Sequence, residues 1–131
     1  MEFKLENFVR ENLRNLKPYT SLRDSQNFDA PVFLEANENP FGEYNRYPDS
    51  TQKKLKEKLS EFKNINPENL FIGNGSDELI DLIIKAFCEP KKDEILVMNP
   101  SFVMYSFYAK INDNKVNVLE LDENFQIDKE D

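Results

Sequence analysis

The order of the apolar segments between residues 69 and 121 constrains this chain more than any other feature. Short runs at Asn69 to Ile72, Glu94 to Met98 and Lys115 to Leu121 have the length and residue types of strands. Between them, Asp77 to Glu89 and Ser101 to Ile111 are long enough, and apolar at the right spacing, to be helices. Strand, helix, strand, helix, strand predicts an α/β architecture: a parallel sheet with flanking helices. Leu79, Ile80, Leu82, Ile83, Ile84 and Phe87 cover most of the circumference of the first of those helices, which predicts burial on more than one side. After the third strand the chain turns acidic, from Asp122 to Asp131, and the pattern stops in mid-sheet, so an exposed terminus and an unfinished apolar edge are expected.

The N-terminal side is less regular. Phe3, Leu5, Phe8, Val9, Leu13 and Leu16 recur at mixed helical spacings, which predicts a short amphipathic helix over 5–16, ended by Pro18. Residues 31–36 read as a short extended segment, followed by the turn-rich stretch Asn37-Glu38-Asn39-Pro40-Phe41-Gly42. Asp49 with Gln52 three residues on approximates a capping box, and Leu55, Leu59 and Phe62 then predict a surface helix over 51–63.

Composition removes whole classes of function. With 17 basic against 25 acidic residues the net charge is −8, which repels a nucleic-acid backbone or an anionic membrane surface; any bound anion must be held locally. No apolar run has the length of a membrane span and none has the form of a signal peptide, so the expected setting is cytoplasmic. The chain has no histidine and one cysteine, so a Ser/His/Asp triad, a Cys/His dyad and a structural zinc site cannot be built from it. That cysteine, Cys88, follows the apolar run Ile83 to Phe87 and is expected as a core thiol rather than a reactive one. Chemistry must come from carboxylates, tyrosines, backbone groups or a cofactor.

The strongest local signal is Phe71-Ile72-Gly73-Asn74-Gly75-Ser76-Asp77-Glu78, a strand candidate that passes through two glycines into a helix. Free backbone N–H groups at the positive end of a helix dipole form a ready anion site, and Ser76 can cap the helix or donate to a phosphate oxygen. The same residues also describe an ordinary helix start after a tight turn. Asp77 and Glu78 suit the dipole but repel a phosphate, so a phosphate there would rely on backbone donors with both carboxylates turned away. The run Asn99-Pro100-Ser101-Phe102-Val103-Met104-Tyr105 follows a strand, at the carboxyl edge where open parallel sheets bind ligands. Phe102 either packs in the core or offers a flat face to a planar ring. Tyr19 and Tyr47, each beside a proline, are packing residues or carry a hydroxyl for a phosphate.

Taken together, Leu16-Lys17-Pro18-Tyr19, Leu34 to Pro40, Arg46-Tyr47-Pro48, Gly73 to Glu78, Ala86 to Pro90 and Pro100 to Tyr105 resemble, in order and spacing, the histidinol-phosphate aminotransferase family. The resemblance runs through nearly all of this chain and about the first third of a family member. It implies part of the large domain of the aspartate-aminotransferase-like fold, the type I fold of pyridoxal-phosphate enzymes. Residues 1–45 would form the N-terminal arm and substrate and dimer loop, and residues 46–131 the first, incomplete part of the cofactor-binding domain.

By the same resemblance, Gly75, Ser76 and Asp77 would hold the phosphate of pyridoxal 5′-phosphate, Phe102 would stack on its ring, and Tyr47 would reach the phosphate of the neighbouring subunit's cofactor in a homodimer. Tyr19 and Asn37 would lie near the substrate. The implied reaction, in histidine biosynthesis, moves an amino group between histidinol phosphate and 2-oxoglutarate. The family's Schiff-base lysine, the aspartate paired with the cofactor ring nitrogen and the substrate-gripping arginines fall beyond residue 131. Lys85, Lys91 and Lys110 do not match the lysine motif, so no catalytic residue is assigned here and these 131 residues alone are expected to lack transaminase activity. Threonine-phosphate decarboxylases and related aminotransferases share the same cofactor site, and a non-catalytic phosphate-binding remnant is the reading from a different class.

Overall fold

The computed structural model describes residues 3–22, 34, 36–44 and 46–127, and within it the chain divides into two compact units, Met1–Leu16 with Gly73–Asp131, and Lys17–Ile72. The first unit contains helix α2 (Gly75–Phe87), strand β1 (Glu94–Asn99), helix α3 (Met104–Ile111) and strand β2 (Lys115–Glu120). The second contains helix α1 (Lys53–Lys63) and a 3-10 turn, Pro67–Asn69.

The first unit follows the alternation in the sequence. β1 and β2 pair in parallel, in register from Glu94 opposite Lys115 to Asn99 opposite Glu120, with α3 as the crossover. Side chains pin this ladder at both ends. Glu94 accepts from Lys115 Nζ at 3.0 Å and Asn117 Nδ2 at 2.6 Å, while Asn99 Nδ2 donates to Glu120 at 2.7 Å. The Asn117 and Lys115 donors also hold the Glu94 carboxyl below its ordinary range, because each favours the charged form.

A second fastening lies beside the Glu94–Lys115 end of the ladder, where α2 hands over to β1 and α3 to β2. Asn114 is buried and its Nδ2 donates to the carbonyls of Glu89 and Asp93, both at 2.9 Å. Its Oδ1 accepts from Asn112 Nδ2, which also donates to the Cys88 carbonyl. The two amide side chains of the α3–β2 connection thus tie it to three carbonyls of the α2–β1 connection. Cys88 itself is half-buried rather than in the core, and burial is the main cause pushing its thiol above the ordinary value, with Asp93 adding to the effect and Arg10 opposing it.

Several expectations are corrected. The segment over 5–16 is not one helix but two 3-10 turns, Leu5–Asn7 and Glu11–Leu13. Arg10 between them is extended, and its N–H is taken by the Ala86 carbonyl at 3.0 Å instead of the preceding turn. Its guanidinium donates to the Lys85 carbonyl and pairs with Glu89, whose carboxylate also accepts from Glu11 N–H. The arm thus gives up its own helix to cap the last turn of α2, whose carbonyls lack partners within the helix.

The strand expected at Asn69 to Ile72 is absent. Pro67 at the first helical position and the Asn66 side chain, accepting from Glu68 N–H, wind residues 67–69 into a 3-10 turn, and among the described residues no strand pairs with 70–72. Helix α2 begins and ends two residues earlier than expected, α1 begins two residues later, and α3 begins three later. The double-sided burial expected of α2 does not occur within the chain. Among the described residues Ile84 and Ala109 are the buried apolar side chains, whereas Ile83 is 59% exposed and Leu96 on the sheet is 63% exposed. The expected extended segment 31–36 falls mostly outside the described residues. No helix among them is long and apolar enough to cross a membrane.

Candidate active site

The start of α2 is built by its two glycines in different ways. At Gly73 a Cβ would stand 2.8 Å from Glu78 Oε2 and 2.8 Å from Leu79 Cδ2, so a side chain there would oblige those two side-chain ends to move. At Gly75 the backbone has φ of +83°, a left-handed conformation that glycine adopts without strain, and a Cβ would meet nothing within 4 Å. The turn therefore faces open space.

The helix begins at Gly75, so Ser76 lies in the first turn rather than at the cap; the cap position is Asn74, whose side chain makes no capping bond. Glu78 instead folds back to accept from Asn74 N–H, and Gly75 N–H is used by the Gly73 carbonyl at 3.0 Å. The amides of Ser76 and Asp77 remain at the open helix end, where no carbonyl four residues back lies in the helix. The expected tension over the acidic pair is half resolved: the Glu78 carboxylate is tied to its own turn, and Asp77 is half-buried.

Phe102 lies just after β1 and before α3, edge-on to Tyr105 with ring centroids 6.0 Å apart, and is exposed rather than in the core. Since the α2 C-terminus feeds the start of β1, the α2 N-terminus and Phe102 belong to the same carboxyl edge of the sheet. Beside them an apolar cleft of about 360 Å³ runs between α2 and β1, lined by Ile80, Ile84, Met98, Ser101 and Tyr105 among others. The structure thus places Gly75, Ser76 and Asp77 at the start of α2 and Phe102 just after β1, all within the first unit.

The remaining candidates lie in the second unit. Tyr47 and Asn37 are held in adjacent loops, because Glu38, next to Asn37, accepts from Tyr47 N–H at 2.7 Å and from Arg46 Nη1 at 2.9 Å. Tyr19 is 92% exposed and joins no cluster. Glu38 is the residue that sequence reasoning missed: it sits in a polar loop run where nothing in the pattern marks one carboxylate as inward-facing. Among the described residues no group of acidic or cysteine side chains is placed to hold a metal ion.

The histidinol-phosphate aminotransferase of Parabacteroides distasonis is 50% identical over 127 residues, covering 96% of this chain and 37% of the relative. Those of Bacteroides thetaiotaomicron and Cytophaga hutchinsonii are 47% and 45% identical, covering 96% and 98% of this chain and 37% and 38% of the relatives. The chain therefore spans just over a third of the length of the curated relatives it matches. A crystal structure of a protein assigned as an aminotransferase, from Burkholderia pseudomallei K96243, superposes with a TM-score of 0.53 at 22% identity, over 65% of this chain and 26% of that one, and supports the fold alone. The profile of aminotransferase class I and II matches residues 12–131, and the chain belongs to that family.

Proposed function

We propose that this chain is the cofactor-phosphate-binding part of a histidinol-phosphate aminotransferase, a homodimeric, cytoplasmic enzyme of histidine biosynthesis that uses pyridoxal 5′-phosphate. In this reading residues 1–45 supply the arm and substrate loop and residues 46–131 the first part of the cofactor domain. The observation that carries it is the open, glycine-built start of α2, which lies within a stretch 50% identical to a protein of that name.

The residues present fit the cofactor. The Ser76 and Asp77 amides, with the Ser76 hydroxyl, would receive the phosphate at the positive end of the helix dipole, which needs no lysine in the turn. The exposed Phe102 would give the pyridine ring a flat apolar face, and Tyr47 would add a hydroxyl donor to the phosphate of the partner subunit's cofactor. Asn37 and Tyr19 would line the approach for the phosphorylated amine. When bound, the cofactor supplies an electron sink for the carbon that carries the amino group. This chain's own share is to bind and orient, and no residue of it is assigned to move the proton, so residues 1–131 alone are expected to be inactive.

The test is turnover by the full-length protein with histidinol phosphate and 2-oxoglutarate, read as glutamate formed. The reading predicts glutamate in proportion to enzyme. Release of carbon dioxide from a phosphorylated amino acid without glutamate formation would replace it with a decarboxylase of the same fold.

A further inference from the structure

Glu38 has its side chain 2% exposed, in a stretch where Asn37, Asn39, Pro40, Phe41, Arg46 and Tyr47 are all exposed. Burying a carboxylate is costly unless its charge and lone pairs are met, and here both oxygens are engaged. Oε1 accepts from Tyr47 N–H at 2.7 Å, and Oε2 accepts from Arg46 Nη1 at 2.9 Å. The partners lie eight and nine residues along the chain, so the carboxylate closes the loop that contains Pro40 and Gly42, the latter at φ of +101°. Arg46 is more than half exposed, so the buried partner is the carboxylate, and its bond to the Tyr47 amide fixes backbone.

We propose that Glu38 is a positioning residue that fastens the loop bearing Asn37 to the backbone of Tyr47, so that the substrate loop and the phosphate-reaching tyrosine are set as one piece. This rests on the reading above in which Tyr47 contacts the cofactor phosphate. Glu38 acts through Tyr47 and not on the substrate, since its own oxygens are occupied. A tyrosine whose amide is held leaves only its side-chain torsions to be ordered on binding, which is how preorganisation raises affinity.

The test uses the full-length protein stripped of cofactor, with three readouts: pyridoxal 5′-phosphate affinity by absorbance titration, hydrogen exchange of the Tyr47 amide, and the split between kcat and KM. Glu38→Ala is expected to speed Tyr47 exchange and weaken cofactor binding by about tenfold, the scale of one lost charge-assisted hydrogen bond. Glu38→Gln keeps an acceptor for Tyr47 N–H and is expected to lose about threefold or less. Arg46→Ala, which leaves the Tyr47 bond in place, is expected to keep Tyr47 exchange slow. In a Tyr47→Phe background, Glu38→Ala should add little to the affinity loss.

Unchanged Tyr47 exchange and affinity in Glu38→Ala, or an effect that persists in full beside Tyr47→Phe, would overturn the proposal. If Tyr47→Phe itself binds the cofactor like the wild type, the contact assigned to Tyr47 fails, while its amide exchange still reports the clamp. Should Glu38→Ala not fold, Glu38→Gln and Arg46→Ala carry the comparison.

Discussion

Asp49 organises the start of α1 alone. It accepts from Thr51 Oγ1 at 2.6 Å, from Lys53 N–H at 2.8 Å and from Thr51 N–H at 2.9 Å. These bonds, the Thr51 hydroxyl first, hold its carboxyl below the ordinary value of 3.8. A depressed carboxyl stabilises the folded form above the unfolded pKa and loses that contribution as pH falls through the folded one. Exchange of the Lys53 amide should therefore accelerate as pH is lowered from 3.8, beyond the intrinsic change, whereas in Asp49→Asn it should follow the intrinsic rate. The sequence expected a capping box opened by Asp49, whereas the cap position is Gln52, without a side-chain capping bond, and Asp49 reaches the helix from three residues earlier. Gln52 sits at φ of +52°, so the reach falls one residue further, to Lys53. Glu38 was illegible, since burial of a loop carboxylate depends on where two distant segments meet.

Among the elements, α2, β1, α3 and β2 were legible from periodicity, because each carries its own apolar pattern and their order permits only a parallel pairing. The arm over 5–16 was misread as a helix because its apolar spacing is helical while its decisive contact, Arg10 to the end of α2, lies 75 residues away. The strand at 69–72 was misread because strand propensity needs a neighbour, and the Asn66-Pro67 start favours a 3-10 turn. The two loops at the lower edge of the sheet depend on Asn114. Asn114→Ala should cost about 2 kcal/mol, since it removes two part-buried hydrogen bonds, those to the Glu89 and Asp93 carbonyls. Urea unfolding of the protein reads this as a lower midpoint at unchanged slope; an unchanged midpoint would remove Asn114 from that role.

On the scale of the whole molecule, family and fold were legible because the motifs keep their order through nearly the entire chain, and the aminotransferase profile spans residues 12–131. The burial of α2 was not legible, since a two-sided apolar helix is matched, among the described residues, by a sheet of two strands. In the proposed reading the chemistry lies at the carboxyl edge, with the open start of α2 and the exposed ring of Phe102. There a phosphate would be held by backbone amides, so side-chain truncation is a weak probe. Proline at Ser76 removes one of those amides at a first-turn position where proline is compatible with a helix.

The most direct measurement is therefore the affinity of the full-length protein for pyridoxal 5′-phosphate against pyridoxal, which lacks the phosphate, in the wild type, Ser76→Ala and Ser76→Pro. The expected result is a wild-type preference for the phosphorylated form that falls by about tenfold or more in Ser76→Pro and less in Ser76→Ala, as proline removes both the backbone donor and the hydroxyl whereas alanine removes the hydroxyl alone. Equal affinity for the two compounds in the wild type, or an undiminished preference in Ser76→Pro, would contradict the assignment of this helix start to the phosphate.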